Sequence, residues 1–302
     1  MQKNPHTPST LPLRIRHGVM PSYLWLPEGQ WSDLMEFLTH QFPDVSTRQW
    51  LSRIERREVV DQHGSVLQAD SPVKRGMCIF YYREIEDETP IPFSEVILYH
   101  DEHVLVVDKP HFLPVTPGGR FLQETLLVRL KRQTGNQHLT PIHRLDRETA
   151  GVILFSPTPA TRGAYQALFQ QRRVHKTYHA LAPHLPDQIF PLTHRSRMED
   201  AEQFFVMREV EGETNSQTRI AIIERRGVND LYELKPLTGK RHQLRVHLAS
   251  LGAPIVNDTF YPVALPCKGD DFSAPLQLLA KSIAFTDPIN GEYRQFDSAQ
   301  SL

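Results

Sequence analysis

The sequence is informative first in what it lacks. No apolar run in its 302 residues approaches the roughly 20 that a membrane-crossing helix needs. The opening MQKNPHTPSTLPLRIRHGVM contains no apolar core of a secretory signal. Two cysteines, Cys78 and Cys267, lie far apart and in no CxxC or metal-type spacing, so a reduced, cytoplasmic setting is expected. Neither sign of charge is in excess: 34 Lys and Arg against 35 Asp and Glu leave a formal net charge of -1. That balance argues against a protein that coats nucleic acid through bulk charge. There is no GxSxG, which leaves a nucleophile-elbow hydrolase unsupported. PLTGKRH holds Gly239-Lys240 but lacks the earlier glycine and the following Ser or Thr of a phosphate loop. His175 and His179 have a metal-like interval, yet they sit on a strand pattern with no acidic residue between them. No metal is expected.

What is present reads as an ordinary globular chain, 39% hydrophobic and 23% charged, long enough for one large core and a small satellite. Charge is unevenly spread. Between His143 and Leu181, Arg144, Arg147, Arg162, Arg172, Arg173 and Lys176 face only Asp146 and Glu148, so this stretch is locally basic. Acidic residues collect in REIEDE at 83–88. Charge runs are more often solvated faces than binding sites, so the asymmetry carries little alone.

Four segments are expected. Residues 1–29 are polar and proline-containing, a flexible N-terminal segment. In 30–83, Trp31, Leu34, Phe37 and Leu38 have helical spacing and Pro43 ends that helix. Ser46 can cap a second helix with Trp50, Leu51 and Ile54 on one side and Arg48, Arg53, Arg56 and Arg57 on the other. A turn at Asp61-Gln62-His63-Gly64 and CIFYY at 78–82 suggest short strands. This order resembles the S-four-like RNA-binding module, in degenerate form; a small helical adaptor with a solvated basic face is the competing reading. Residues 84–95, acidic and proline-interrupted, form a linker. From 96 to 302 the texture changes: VILYHDEHVLVVDKP reads as a hairpin, and GVILFS, VHKTYHALA, TRIAIIERR, LYELKPL and LLAKSIAFT as strands. Two helices stand among them, ATRGAYQALFQQ and KRHQLRVHLASLG. Strands outnumber helices without strict alternation, which predicts an α+β fold with a mixed sheet.

The chemistry concentrates in HRLDRETAG, residues 143–151, where Asp146 stands among His143, Arg144 and Arg147 ahead of an apolar strand. This is either a loop of solvated ion pairs or a carboxylate held ionised for a reaction. In VHKTYHALA, alternation puts Lys176 and Tyr178 on one strand face, able to grip phosphate and stack on a base; an edge strand with a solvated lysine is the plainer reading. In TGKRHQLRVHLASLG, Thr238 can cap the helix and Gly252 end it. Leu244, Leu248 and Leu251 then face the core, while His242, Arg245 and Ala249 share another face. Arg245 could reach inward to a carboxylate and keep it charged, because a guanidinium does not give up its own charge. A lone arginine on an amphipathic helix is more commonly a surface residue.

Taken together, HRLDRETAG, KTYHAL, GKRHQLRVHLASLGAPIVND and LLAKSIAFTDPINGE resemble, in order and spacing, the RluA-type pseudouridine synthases, over residues from about 100 to 294. The resemblance implies a pseudouridine-synthase-like, largely antiparallel sheet with flanking helices and a catalytic cleft. It implies an isomerase that converts uridine within ribosomal or transfer RNA to pseudouridine, with no cofactor, in RNA processing; a monomer is the default expectation. By resemblance Asp146 is the catalytic aspartate, Arg245 its guanidinium partner and Tyr178 the residue that stacks on the uracil. Arg144 is at the position whose arginine can fill the space left by a base turned out of its helix. His143 and His242 belong to the same RNA-facing set, and Arg172, Arg173, Lys176, Lys240 and Arg241 are expected backbone contacts. Leu278 and Ala280 match apolar pocket residues.

The departures are informative. Thr149-Ala150-Gly151 stands for the usual Thr-Ser-Gly. Phe112 and Thr116 replace a glycine and a histidine in KPHFLPVTP, Asn257 and Pro262 stand where glycines are common, and Leu279 replaces a histidine. These changes point to a divergent subfamily. They also motivate an alternative, a catalytically retired scaffold serving as an RNA-binding or RNA-folding factor. A nucleoside hydrolase using an aspartate is a third reading, with little behind it.

Overall fold

The structure, a computed structural model, describes residues 11–29, 31–203, 205–265 and 271–302. Cys267 lies outside the described residues. The chain divides into two compact units, one of residues up to Glu88 together with Gly119–Gln123, the other of Thr89–Gly118 and Glu124–Leu302.

The first unit contains β1 (Ser22–Trp25), α1 (Leu34–Gln41), α2 (Thr47–Glu55), β2 (Val59–Asp61) and β3 (Cys78–Tyr81). Its strands form an antiparallel sheet in the order β1-β3-β2. Asp33 caps α1 by accepting from the Glu36 N–H, and Ser46 with Gln49 forms a reciprocal capping box on α2. Leu34, Phe37, Leu38, Trp50 and Ile54 pack with Ile79 and Tyr81 in one core. Four expectations need correction. Residues 1–29 do not end as a flexible segment, because Ser22–Trp25 pairs in register with β3. Leu51 is exposed, and Arg53 takes the inward position: its guanidinium lies 4.7 Å from the Trp50 ring centroid and 3.4 Å from Glu84. Arg56 is paired with Glu58 and Glu84, so half of the basic face expected for α2 is neutralised within the unit. Its span also differs from 30–83, since the Glu88 carboxylate accepts from the backbone of Leu122 (2.5 Å) and Gln123 (2.8 Å) and ties 119–123 to it.

The second unit contains β4 (Val96–His100), β5 (Leu105–Lys109), α3 (Leu126–Thr134), β6 (Thr140–Pro141), β7 (Ala150–Ser156), α4 (Pro159–Gln170) and β8 (His175–Pro183). There follow β9 (Leu192–Asp200), β10 (Met207–Val210), β11 (Ser216–Arg226), β12 (Asn229–Pro236), α5 (Gln243–Ser250), β13 (Leu278–Thr286) and β14 (Tyr293–Asp297). The fold is α+β. One 11-stranded sheet runs β10-β9-β11-β12-β8-β13-β7-β5-β4, with β14 on β13 and β6 on β7. Its pairs are antiparallel except β13 with β7. That parallel contact is close: a Cβ on Gly151, at φ +110°, would lie 2.2 Å from the Ala280 carbonyl oxygen. Only glycine fits there.

Helix α5 packs Leu244 and Leu248 against Ala180, Tyr232, Leu234 and Leu278. Burying Leu248 fully contributes about 2 kcal/mol, enough to make the helix position a property of the core. Helix α4 packs Tyr165 and Leu168 on Val152, Leu154, Ile283 and Phe285, and the Tyr165 hydroxyl donates to Asp287 at 2.8 Å. These two clusters fix β7, β8, β13 and α5, the four elements around the site. Among the described residues, no helix is long and apolar enough to cross a membrane.

Candidate active site

Asp146 lies in the loop between β6 and β7, and that loop is pinned through three successive carbonyls. The Asp146 carbonyl accepts from Thr149 N–H (3.2 Å), that of Arg147 from Lys109 Nζ (3.0 Å), and that of Glu148 from His111 Nδ1 (2.7 Å). Lys109 is fully buried and also donates to the carbonyls of Pro110 and Leu113, at 3.0 and 2.9 Å. Burial lowers its ammonium to a pKa of about 7. Arg147 donates through Nε to the Phe112 carbonyl (3.1 Å) and pairs with Glu148 (3.2 Å). A loop whose backbone acceptors are this fully occupied holds its side chains in one place.

Arg245 projects from α5, 1% exposed. Its main partner is Asp258, bidentate through Nε to Oδ2 (2.8 Å) and Nη2 to Oδ1 (2.7 Å). The remaining Nη1 donates to Asp146 Oδ2 at 3.4 Å. Arg245 is therefore a bridge between two carboxylates, not a partner of Asp146 alone. Asp258 is itself fixed by the N–H groups of Phe260 (2.8 Å) and Tyr261 (3.2 Å). The rings of Phe260 and Tyr261 lie 4.8 and 5.4 Å from the guanidinium carbon. Burial, the largest influence, works against the arginine's charge, but the hydrogen bonds and charge of Asp258, with Asp146, raise its pKa overall. A buried guanidinium thus remains cationic beside Asp146.

Alternation along β8 brings Lys176 and Tyr178 into the same cavity. Burial, reinforced by Asp146, pushes the Tyr178 hydroxyl well above the ordinary phenol range, so it stays protonated. Burial lowers Lys176 to about 8, and its Nζ donates to the Thr238 carbonyl at 3.3 Å.

The N-terminus of α5 differs from expectation. The cap is His242, in the left-handed region at φ 54°, not Thr238. Thr238 Oγ1 instead accepts from Gln217 N–H (2.9 Å) and donates to Gln243 Oε1 (2.7 Å). Gln243 also accepts from Lys240 N–H (3.1 Å) and donates to the Gln217 carbonyl (3.1 Å) and Thr218 Oγ1 (2.9 Å). It ties the 238–240 turn to β11.

These elements enclose a cavity of about 360 Å³, lined by Arg144, Asp146, Lys176, Tyr178, Lys240, Arg241, His242, Arg245 and Leu278, with Thr149 and the 236–239 turn. That is the scale of a small-ligand site. Four expected site residues do not line it. Arg172 and Arg173 follow α4 and are exposed elsewhere on the surface. His143 is a structural pin: its Nε2 accepts from Leu154 N–H (3.1 Å) and its ring stacks on Phe169 at 4.6 Å. Burial, with Lys176 nearby, drops it to a pKa of about 3, a neutral acceptor. Ala280 sits in the ladder between Tyr178 and Gly151, aligning strands instead of facing a ligand. Arg241 lines the cavity with its guanidinium on Asp200 (2.7 Å).

Sequence reading missed Asp258, Lys109 and Gln243. Asp258 closes the GAPIVND block and Lys109 opens KPHFLPVTP, so the signal was a charged residue at the end of an apolar block. Two of the departures keep the geometry that glycine would supply. Phe112 adopts φ 66° and Asn257 φ 65°. Phe112 holds that conformation between the rings of Phe93 (5.9 Å) and Phe272 (5.3 Å), and Asn257 donates to the Pro275 carbonyl at 2.9 Å.

One group of donors among the described residues could share an ion: His194, Glu209 and His247, with ligand atoms within 4.8 Å of one another. None lines the cavity. His247 Nε2 is already met by Ser216 Oγ (3.0 Å), whose own proton goes to the Ser196 carbonyl (2.8 Å), and Nδ1 by Thr218 Oγ1 (2.9 Å). A self-satisfied polar network accounts for it.

Against known proteins, the family described as RNA pseudouridylate synthase matches residues 103–250. The dual-specificity RNA pseudouridine synthase RluA of Salmonella typhi is 34% identical over 207 residues, 67% of this chain and 91% of that protein. An RNA pseudouridine synthase of Synechocystis is 27% identical over 230 residues, 76% and 79% of the two chains. The solved structure of human RNA pseudouridylate synthase domain containing 4 superposes with a TM-score of 0.53 at 26% identity, covering 68% of this chain and 88% of that one.

Proposed function

As a member of the RluA-type pseudouridine synthase family the chain is an RNA pseudouridine synthase, and we propose that Asp146, Tyr178 and Arg245 carry its isomerisation. The observation that supports this reading is their convergence on one cavity, with a buried arginine cation beside the carboxylate.

Turning uridine into pseudouridine breaks the bond from ribose C1′ to N1 and forms one from C1′ to C5. C5 loses its hydrogen and N1 gains one, so no outside reactant is consumed. As the C1′–N1 bond lengthens, positive charge builds on the sugar. The Asp146 carboxylate stabilises that charge in a partly dry cavity where the interaction is strong. Tyr178, a neutral phenol at rest, supplies a ring on which uracil stacks while it turns, and Leu278 bounds the apolar side.

A paired base must leave its helix to enter such a cavity, at a cost of a few kcal/mol in lost stacking. Arg144, exposed on the rim, fills the vacated space, while Lys176, Lys240 and Arg241 meet the phosphates around it. His143, Arg172 and Arg173 are left out of this set. The substrate we propose is structured ribosomal or transfer RNA, bound in the cytoplasm by a monomer.

The test uses RNA labelled with [5-³H]uridine from cells whose copy of the gene is deleted. The wild-type protein should release tritium and form pseudouridine. Asp146→Asn should lower turnover by about a thousandfold or more while melting nearly as wild type. Full activity in that variant would remove Asp146 from the chemistry, and an inert but stably folded wild type would favour the retired-scaffold reading.

A further inference from the structure

Two N–H groups face the same oxygen of Asp146. Arg245 Nη1 lies 3.4 Å from Oδ2 and His242 Nε2 lies 3.7 Å from that atom. No donor among the described residues reaches Oδ1. The direction of the His242 contact depends on which ring nitrogen carries the proton, and the neighbouring Tyr261 hydroxyl decides it. That hydroxyl accepts from the Met207 N–H at 2.8 Å and lies 2.9 Å from His242 Nδ1. Tyr261 is 7% exposed, and the acceptor at hand for its own proton is Nδ1. An O–H left unpaired in such a place is costly. Nδ1 is therefore the acceptor, and the proton of a neutral imidazole sits on Nε2. The alternative tautomer would strand the Tyr261 proton and turn a nitrogen lone pair toward a carboxylate.

His242 is also held against rotation. It caps α5 at φ 54°, its ring lies 5.5 Å from that of Phe260, and Tyr261 meets it edge-on at 5.7 Å. Burial keeps the ring neutral at physiological pH, with a pKa near 4 against the opposing pull of Asp146.

We propose that His242, fixed in its Nε2–H tautomer by the Tyr261 hydroxyl, is a positioning residue that acts with Arg245 on Oδ2 of Asp146 and leaves Oδ1 as the oxygen that meets the substrate. The two donors divide the work. Arg245 supplies charge and is committed mostly to Asp258, while His242 supplies direction without adding a second cation to the cavity. The present separation shortens to a hydrogen bond once substrate fills the site, as contacts in unliganded active sites commonly do. The proposal rests on the functional reading above only for its kinetic consequence.

The tautomer is tested first, without any activity. In the full-length protein labelled with ¹⁵N-histidine, long-range ¹H–¹⁵N correlation should show His242 Nδ1 as the unprotonated nitrogen and Nε2 as the protonated one. Tyr261→Phe should move that population toward Nδ1–H. A wild-type Nδ1–H tautomer, or no change in Tyr261→Phe, overturns the proposal even if the enzyme is fully active. Kinetics with the tritiated RNA then separate positioning from RNA contact. His242→Asn, which tolerates the left-handed backbone but cannot reach Asp146, should lower kcat by about 10- to 100-fold with the half-saturating RNA concentration unchanged. His242→Gln, whose amide reaches the Nε2 position, should recover part of that loss. A raised half-saturating concentration with unchanged kcat would make His242 an RNA-binding residue and overturn the positioning role.

Discussion

Arg245 holds Asp258 with two hydrogen bonds of 2.8 and 2.7 Å and holds Asp146 with one of 3.4 Å. The tight pair is structural and the loose one faces the cavity. The same guanidinium anchors the site to the fold and leaves the reacting carboxylate room to move.

The tight pair should therefore dominate stability. Arg245→Met leaves the Asp258 carboxylate buried without its cation and should cost about 3–5 kcal/mol in urea unfolding. Asp258→Asn keeps an acceptor for the Phe260 and Tyr261 N–H groups while removing the charge. The double variant Arg245→Met with Asp258→Asn should then be more stable than Arg245→Met alone, yet remain inactive. Additive losses in that cycle would show the two residues to be uncoupled.

Lys109 should matter to catalysis without touching the substrate. Lys109→Met orphans three carbonyls, among them that of Arg147 in the Asp146 loop. A loss of about 2–4 kcal/mol in stability is expected, with turnover reduced about tenfold in the fraction that remains folded. Thermal melting and tritium release on the same samples check both.

The left-handed conformation at Asn257 makes a sharper prediction. Asn257→Ala and Asn257→Gly both lose the bond to the Pro275 carbonyl, so their difference isolates the backbone. Alanine should be less stable than glycine by about 1 kcal/mol in chemical unfolding. Equal stabilities would mean that the turn relaxes to a negative φ.

Acid should destabilise the fold well before its carboxylates titrate. Burial lowers His143 to about 3, and His242 and His247 to about 4, from an ordinary 6.5. The unfolded chain then binds protons that the native state refuses, so stability present above pH 6.5 is lost as pH falls toward 4. Each such histidine accounts for about 1–2 kcal/mol at pH 5. Urea midpoints at pH 7.5 and 5 should differ accordingly, and His247→Gln should shallow the dependence. A flat profile between those values would mean that these rings are solvated.

Much of this was legible in the chain because it is local. Ser46 as the cap of α2, the alternation of Lys176 and Tyr178, and the leucines of α5 report contacts within one helix or strand. Strands β9 and β10 were not legible. β9 reads LTHRSRMED, and of its nine residues only Met198 is buried, so its ladder partners and not its hydrophobicity make it a strand. Leu51 and Arg53 exchanged roles because a stacked, paired arginine can be buried where a leucine is not.

The residue types at the site, one carboxylate, one phenol and one guanidinium in ordered blocks, were determined by the sequence alone, since identity is all that such blocks carry. Which acid the guanidinium grips, which histidines are pins and which one faces the cavity, and which oxygen of Asp146 is left free were decided only by the tertiary structure. Those choices depend on hydrogen-bond geometry between groups as far apart in the chain as residues 146 and 245, and no local pattern encodes a distance across a fold.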